Sequence, residues 1–461
     1  MNWEKLLNST RFSTRLSVSR PPQAIGRHGY RITDFQDDFG RIVHSSAFRR
    51  LKNKTQVHTF PNNDYVRDRI THSYEVAHIG RNLGAIIGKI IEEKGVLPDN
   101  IYPHDLGEIV ASACLAHDLG NPPFGHVGEQ AIKSWCETNI SRQRLKQFVD
   151  IKSRDYDKDF LFFDGNAQSF RILTRLQGWR KSGGLQLTYA TLATMCKYPW
   201  SAANPKAYAK QKYCFFQDDL DTGRIVFEQC GLQLSKAGEF LRHPLSYVVE
   251  AADDIAYLTT DIQDGFRARL IDFSRAEKLL MEVSSHGAHN VRYPYIKNYP
   301  ELDKISYLAA TSARALEEAC VDEFDRSYNL IMDGKYNGTL TENCDLGQQC
   351  DAIRREAREK LHLGEGKSLS DVASIHVIHA LLDKFSGPIG DLIEFSGDKT
   401  KLDAASATLL RLLPTDNEDA ASLGTDSYRT FLHLTDFISG MTDRYAVELY
   451  QGLYGHGLAY R

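Results

Sequence analysis

The run His117-Asp118-Leu119-Gly120-Asn121-Pro122-Pro123-Phe124-Gly125-His126-Val127-Gly128-Glu129 decides how this chain folds. Ahead of it, Leu106, Ile109, Val110, Ala113 and Leu115 recur at three- and four-residue spacing, which predicts a buried helix over 105–117. That helix delivers His117 and Asp118 at its C-terminal end, where Gly120 and Pro122 stop it. A helix end frees the backbone, so the imidazole and the carboxylate can both turn toward one divalent ion. Such N and O donors suit Mn, Fe, Zn or Mg, and the carboxylate favours the harder ions. A lone His-Asp dipeptide says little; partners decide.

Working outward, two partners appear. Val76, Ile79, Leu83, Ile86, Ile87 and Ile90 predict a helix over 72–94 with one buried face and His72 at its start. Val248, Val249, Ala252, Ile255, Ala256 and Ile262 predict another over 245–265, and Asp253 and Asp254 lie in its middle. At least one of these acids faces inward, and a buried carboxylate needs a cation or hydrogen bonds. Asp253, Tyr257 and Asp261 fall at i, i+4 and i+8, on one helical face. Asp254 falls about 100° away. Three helices thus offer His72, His117, Asp118 and Asp253 as a metal-ligand set. The ion they hold is either catalytic or structural. Four N and O ligands without a thiolate leave coordination positions for water and a further oxygen ligand.

The rest of the chain sets bounds. Its 461 residues, 42% hydrophobic and 25% charged, exclude wholesale disorder. No segment reaches the roughly 18 apolar residues of a membrane span, and residues 1–20 lack a signal-peptide core. A cytoplasmic protein without a membrane partner is expected. Eight scattered cysteines without a CxxC indicate reduced thiols rather than a zinc knuckle or a disulfide scaffold. The net charge of −4 excludes a bulk nucleic-acid coat. Residues 1–60, however, carry 11 Lys/Arg against 4 Asp/Glu, which suggests either a polyanionic ligand near this segment or a solvated tail. There is no GxxxxGK[ST] phosphate loop. Further helices are predicted over 368–384 and 401–412. A short β-hairpin is predicted over 213–227, pairing Tyr213, Phe215 and Phe216 with Ile225, Val226 and Phe227 across Asp-Thr-Gly.

The order His72…His117-Asp118…Asp253 resembles the HD-domain phosphohydrolases. The flanking runs are more specific: Phe48–Val57 (FRRLKNKTQV), Arg69–Ser73 (RITHS), His117–Glu129, Asn166–Leu173 (NAQSFRIL), Glu250–Asp261 and Ile438–Ala446 (ISGMTDRYA). From about residue 35 to the C-terminus they resemble the deoxyguanosine triphosphate triphosphohydrolase family. The resemblance implies a mainly α fold: a basic segment 1–35, an HD core over 36–275, and a helical elaboration over 276–461 packed on it as one unit. It implies His72, His117, Asp118 and Asp253 as metal ligands, with Mg or Mn favoured by the two carboxylates.

It further implies that His126 and Glu129 assist water attack or leaving-group protonation. A carboxylate three residues on can hold the imidazole in one tautomer; the alternative for His126 is a loop histidine at the start of a helix. Arg69 matches a phosphate-contacting position, and Gln56 and Asp261 match sugar-contacting ones. Lys197 and Lys212 are weaker phosphate candidates. Asn121 either bonds a phosphate oxygen or shapes the turn. Tyr257, one turn from Asp253, either packs under the 2′ carbon of a deoxyribose or is a core aromatic. The implied reaction releases a deoxynucleoside and inorganic tripolyphosphate from a dNTP. Homo-oligomers, commonly hexamers, and single-stranded DNA as an effector are the implied partners. Two other readings stay open: an HD phosphohydrolase acting on another nucleotide or a phosphodiester, and a nucleic-acid-binding regulatory protein.

Overall fold

Asp68 opens the helix that carries the first histidine: its side chain accepts a hydrogen bond from the Thr71 amide at 2.9 Å, and the helix runs Arg69–Glu93. Pro103 stands at the first position of the next, Pro103–Ala116, and Asp105 accepts from the Tyr102 amide at 2.9 Å. The two helices lie backbone against backbone. A Cβ added to Gly84 would stand 2.7 Å from the Leu106 carbonyl oxygen, and one on Gly88 2.6 Å from that of Pro103. This glycine stripe brings the helices together. The third helix, Pro244–Arg267, is capped by His243, whose ring accepts from the Leu245 amide at 3.2 Å.

The computed structural model describes residues 1–13, 24–25, 30–56, 67–141, 156–178, 183–235, 238–286, 296–362, 365–414 and 422–455. The fold is mainly α. Among the described residues the only paired strands are Ala24–Ile25 and Tyr30–Arg31, antiparallel. The helices expected over 368–384 and 401–412 appear as Glu365–Glu394 and Ala404–Leu410.

The hairpin expected over 213–227 does not form. Leu220–Gln229 is a helix, and the Asp-Thr-Gly taken for its turn lies inside it. A strand would bury residues 225 and 227 on one face. Instead Ile225 is exposed while Val226 and Phe227 are buried, with Gly223 against the Phe215 ring, which is helical spacing.

Apolar side chains collect into two clusters. One joins the three site-bearing helices to Trp3 and Leu6 and extends to Leu361. The other gathers Phe124, Ile132 and Trp135 with Phe160, Phe163, Phe216 and the helices of the C-terminal region as far as Ala446. The described residues of 276–361 therefore belong with the first cluster, and the later helices build the second. The N-terminal residues 1–13 are part of the body. Trp3 and Leu6 are buried, and Arg11 pairs with Asp34 and Asp38 at 2.9 and 2.7 Å. That share of the basic charge is used internally; residues 14–23 and 26–29 lie outside the described residues. All eight cysteines are free and buried. Among the described residues no helix is long and apolar enough to cross a membrane.

Candidate active site

The three helices bring His72, His117 and Asp253 together, with one ligand atom from each within 4.8 Å of the others. His72 Nε2 lies 3.0 Å from Asp253 Oδ1. His117 Nδ1 donates to the Cys114 carbonyl at 2.5 Å, which leaves the lone pair on Nε2. Among the described residues that buried Nε2 has no hydrogen-bond partner, and it faces Asp118 Oδ1 and Asp253 Oδ1, each 3.5 Å away. A proton-free ring nitrogen aimed at two carboxylate oxygens, with its other nitrogen bonded to a carbonyl, is the donor set of a divalent cation site. The residues fit a metal.

Charge supports the same fit. Burial lowers the basicity of His117, but Asp118 and Asp253 outweigh it and raise its pKa. Burial likewise works against the charge of Asp253, yet His117 and His72 hold its carboxyl below the usual range. A bound cation would replace the proton that these carboxylates otherwise draw onto the imidazoles.

Asp118 stands beside this trio. Burial is overcome by Arg69 and His117, and its carboxyl lies well below the ordinary value. Arg69 donates to its Oδ2 at 2.6 Å and Asn121 Nδ2 donates to its Oδ1. Asn121 therefore bonds a site carboxylate. Arg69, buried at 2% exposure, holds that carboxylate from behind. Asp254 turns away from the trio, to Thr341 and to Arg354 at 3.1 Å.

A cavity of about 580 Å³ opens onto this group. His117, Asp118, Asn121, Asp253, Tyr257 and Gln56 line one part of it; His126, Glu129, Lys197 and Lys212 line another. Arg69, His72 and Asp261 do not line it. Asp261 is buried one turn beyond Tyr257. The Gln56 amide donates to the Tyr257 hydroxyl at 2.6 Å, while the buried Gln56 Oε1 has no partner among the described residues. The Tyr257 ring centroid lies 4.8 Å from that of His72, so the ring packs against the metal-side histidine.

His126 begins the helix His126–Cys136 with its side chain 75% exposed, and Nδ1 lies 3.2 Å from Glu129 Oε2. Glu129 is buried. It accepts from the Gly165 amide at 2.8 Å and from Lys212 at 3.3 Å. Burial would raise its pKa, but Lys212 and His126 hold the carboxyl well below its usual range, so it stays charged. Lys197 pairs with Glu250 at 2.8 Å.

Sequence reasoning assigned no role to several residues of the site. Thr55, Asn166 and Tyr198 line the cavity, and Lys54 lies buried behind it, donating to the carbonyls of Asn121 and Ser439. Thr55 and Asn166 sit in runs already singled out. Lys54 looks like surface charge, because one lysine among Arg49, Arg50 and Lys52 carries no sign of burial.

This arrangement of helices and ligands is that of an HD-domain protein, and residues 69–158 match the HD domain family. Relatives extend the likeness over the whole chain. A deoxyguanosinetriphosphate triphosphohydrolase-like protein of Pseudomonas aeruginosa is 36% identical over 459 residues, 99% of each chain. One of the same description from Synechocystis is 34% identical, covering 99% of this chain and 100% of the relative. The deoxyguanosinetriphosphate triphosphohydrolase of Yersinia enterocolitica is 27% identical, covering 96% and 98%. The chain belongs to the deoxyguanosinetriphosphate triphosphohydrolase-like family of HD-domain proteins.

Proposed function

We propose that this protein hydrolyses deoxynucleoside triphosphates, dGTP among them, to a deoxynucleoside and inorganic tripolyphosphate, using Mg or Mn. The observation that carries this reading is one shared cavity. It joins the His117–Asp253 edge of the metal trio to the His126–Glu129 pair and to two lysines. The names of the relatives support the substrate class.

His72, His117 and Asp253, with Asp118 alongside, would hold the ion, which supplies charge neutralisation and Lewis acidity at a phosphoryl oxygen. The protein does the rest. Glu129 orients the His126 ring through Nδ1, which would leave Nε2 to exchange a proton with the attacking water or the departing 5′ oxygen. A triphosphate carries roughly four negative charges, and Lys197 and Lys212 line the space where they would lie. The unpartnered Gln56 Oε1 accepts from a sugar hydroxyl. Tyr257, held by Gln56 and packed on His72, closes the space at the 2′ carbon and selects deoxyribose. Asp261 is proposed to support the 3′-hydroxyl from behind Tyr257.

The test is a panel of four dNTPs and four NTPs with Mg or Mn, resolving the phosphate products. Tripolyphosphate from dNTPs alone is expected. Nucleoside monophosphate with pyrophosphate, or no turnover of any dNTP, overturns the reading.

A further inference from the structure

The last of the sequence runs, Ile438–Ala446, lies more than 170 residues beyond Asp253 in sequence, yet the structure places it against the cavity wall. Asp443, buried at 4% exposure, divides its two carboxylate oxygens between two separate segments. Oδ2 accepts from the Thr55 amide at 2.8 Å and from the Thr55 hydroxyl. Oδ1 accepts from the Phe124 amide at 2.8 Å. A few residues earlier, the Ser439 carbonyl shares the buried Lys54 ammonium with the Asn121 carbonyl. The C-terminal run is therefore bonded to both the 54–55 segment and the 121–124 turn.

Both segments lead directly to cavity groups. Thr55 precedes Gln56, whose amide is bonded to Tyr257. Phe124 precedes Gly125 and His126, and its backbone is unusual: φ is +65° at Phe124 and +61° at Gly125. Two successive left-handed residues, one of them bulky, do not hold themselves in place. A Cβ on Gly125 would come within 2.4 Å of Arg69 Nη2, so a side chain there would displace that guanidinium and strain the positive φ. The helix that follows has Gly125 as its N-cap, with no side-chain capping bond. The bond from the Phe124 amide to Asp443 is thus a fixed point for the bend that aims His126.

We infer that Asp443 is a positioning residue for the hydrolysis, one carboxylate that sets both the sugar-side Gln56 and the proton-handling His126. The inference rests on the dNTP hydrolase reading above. A group displaced by about 1 Å loses about 10²-fold in rate, and Asp443→Asn exchanges a two-sided acceptor for one that can accept on one side only.

The experiment uses the full-length, Mn-loaded protein. In Asp443→Asn, Mn binding is expected to match wild type, hydrogen exchange to accelerate in the peptide that loses its acceptor, that containing Thr55 or that containing Phe124, and kcat for dGTP to fall about 10²-fold. The decisive comparison is a double-mutant cycle with His126→Ala. If Asp443 acts through His126, adding Asp443→Asn to His126→Ala costs less than about threefold in kcat. Multiplicative losses would mean a general structural role and overturn the inference, as would wild-type kcat or unchanged exchange at both Thr55 and Phe124. Thr55→Val, which removes only the hydroxyl donor, tests the sugar arm even if Asp443→Asn does not fold: KM is expected to rise with kcat nearly kept, and an unchanged KM contradicts the clamp. Wild-type protein that releases no tripolyphosphate sinks the functional reading instead, while the exchange measurement still reads the clamp.

Discussion

His117 and His126 stand nine residues apart in opposite settings. His117 ends a buried helix, its side chain is 14% exposed, and one ring nitrogen is bonded to a backbone carbonyl. His126 follows a left-handed bend, its side chain is 75% exposed, and its ring is bonded to the Glu129 carboxylate. The first belongs to a wall made by three packed helices and the first apolar cluster; the second projects from the cluster built with the C-terminal helices. The contrast teaches a division of labour. Ligands that must converge on one ion are fixed by the fold. The group that would meet water and a leaving group in the proposed reaction is held on a bend stabilised from elsewhere, and a left-handed non-glycine residue costs ~1–3 kcal/mol.

If the division holds, damage to the helical wall has the largest effect. Asp253→Ala removes the carboxylate that faces both histidines. Lewis acidity is worth several kcal/mol, and at about 1.36 kcal/mol per factor of ten turnover is expected to fall by about 10³-fold or more, together with Mn stoichiometry measured by metal analysis. Retained metal and turnover would break the comparison on the metal side.

A smaller effect concerns the sugar. Gln56 Oε1 lacks a partner, so wild type is expected to prefer dGTP over 2′,3′-dideoxy-GTP by about 10²-fold. That is below the ceiling for a fully buried hydroxyl site, because Gln56 is only half-buried. Gln56→Ala is expected to erase most of that ratio, and Tyr257→Ala to raise kcat/KM for GTP relative to dGTP. Unchanged ratios in both would place the sugar elsewhere.

The last effect is on stability and leaves turnover at neutral pH untouched. His243 caps the helix that carries Asp253, and its Nε2 donates to the Leu6 carbonyl at 3.2 Å. Burial draws its pKa down to about 4 despite that bond. Between pH 6.5 and 4 the unfolded imidazole binds a proton that the folded one refuses. Stability therefore falls as pH drops through this window, by on the order of 3 kcal/mol. Denaturant midpoints at pH 7 and 4.5 measure it. His243→Asn, which keeps a capping side chain, is expected to flatten the loss; an equal loss in that variant would assign it to other groups.

The helical wall was legible in the sequence because its periodicity and its polar exceptions coincide. An acid amid Val248, Val249, Ile255 and Ala256 announces an inward ligand, and a helix ending in His117-Asp118 announces its partner. The bend side was legible only in part. His126 and Glu129 show the i, i+3 spacing of a bonded pair, but the left-handed Phe124 has no local signature, since its partner Asp443 lies 319 residues away. Lys54 was missed for the same reason. The hairpin misreading at 213–227 came from aromatic and β-branched residues whose true spacing is helical once Ile225 is seen to face out.

The central claim, that holding the metal and handling the proton are separate devices, is tested most directly by one comparison: Mn occupancy and dGTP turnover of His126→Ala beside wild type. Full Mn occupancy with turnover reduced about 10²–10⁴-fold is expected for a positioned acid–base group. A metal-loaded His126→Ala protein with wild-type turnover would contradict the account.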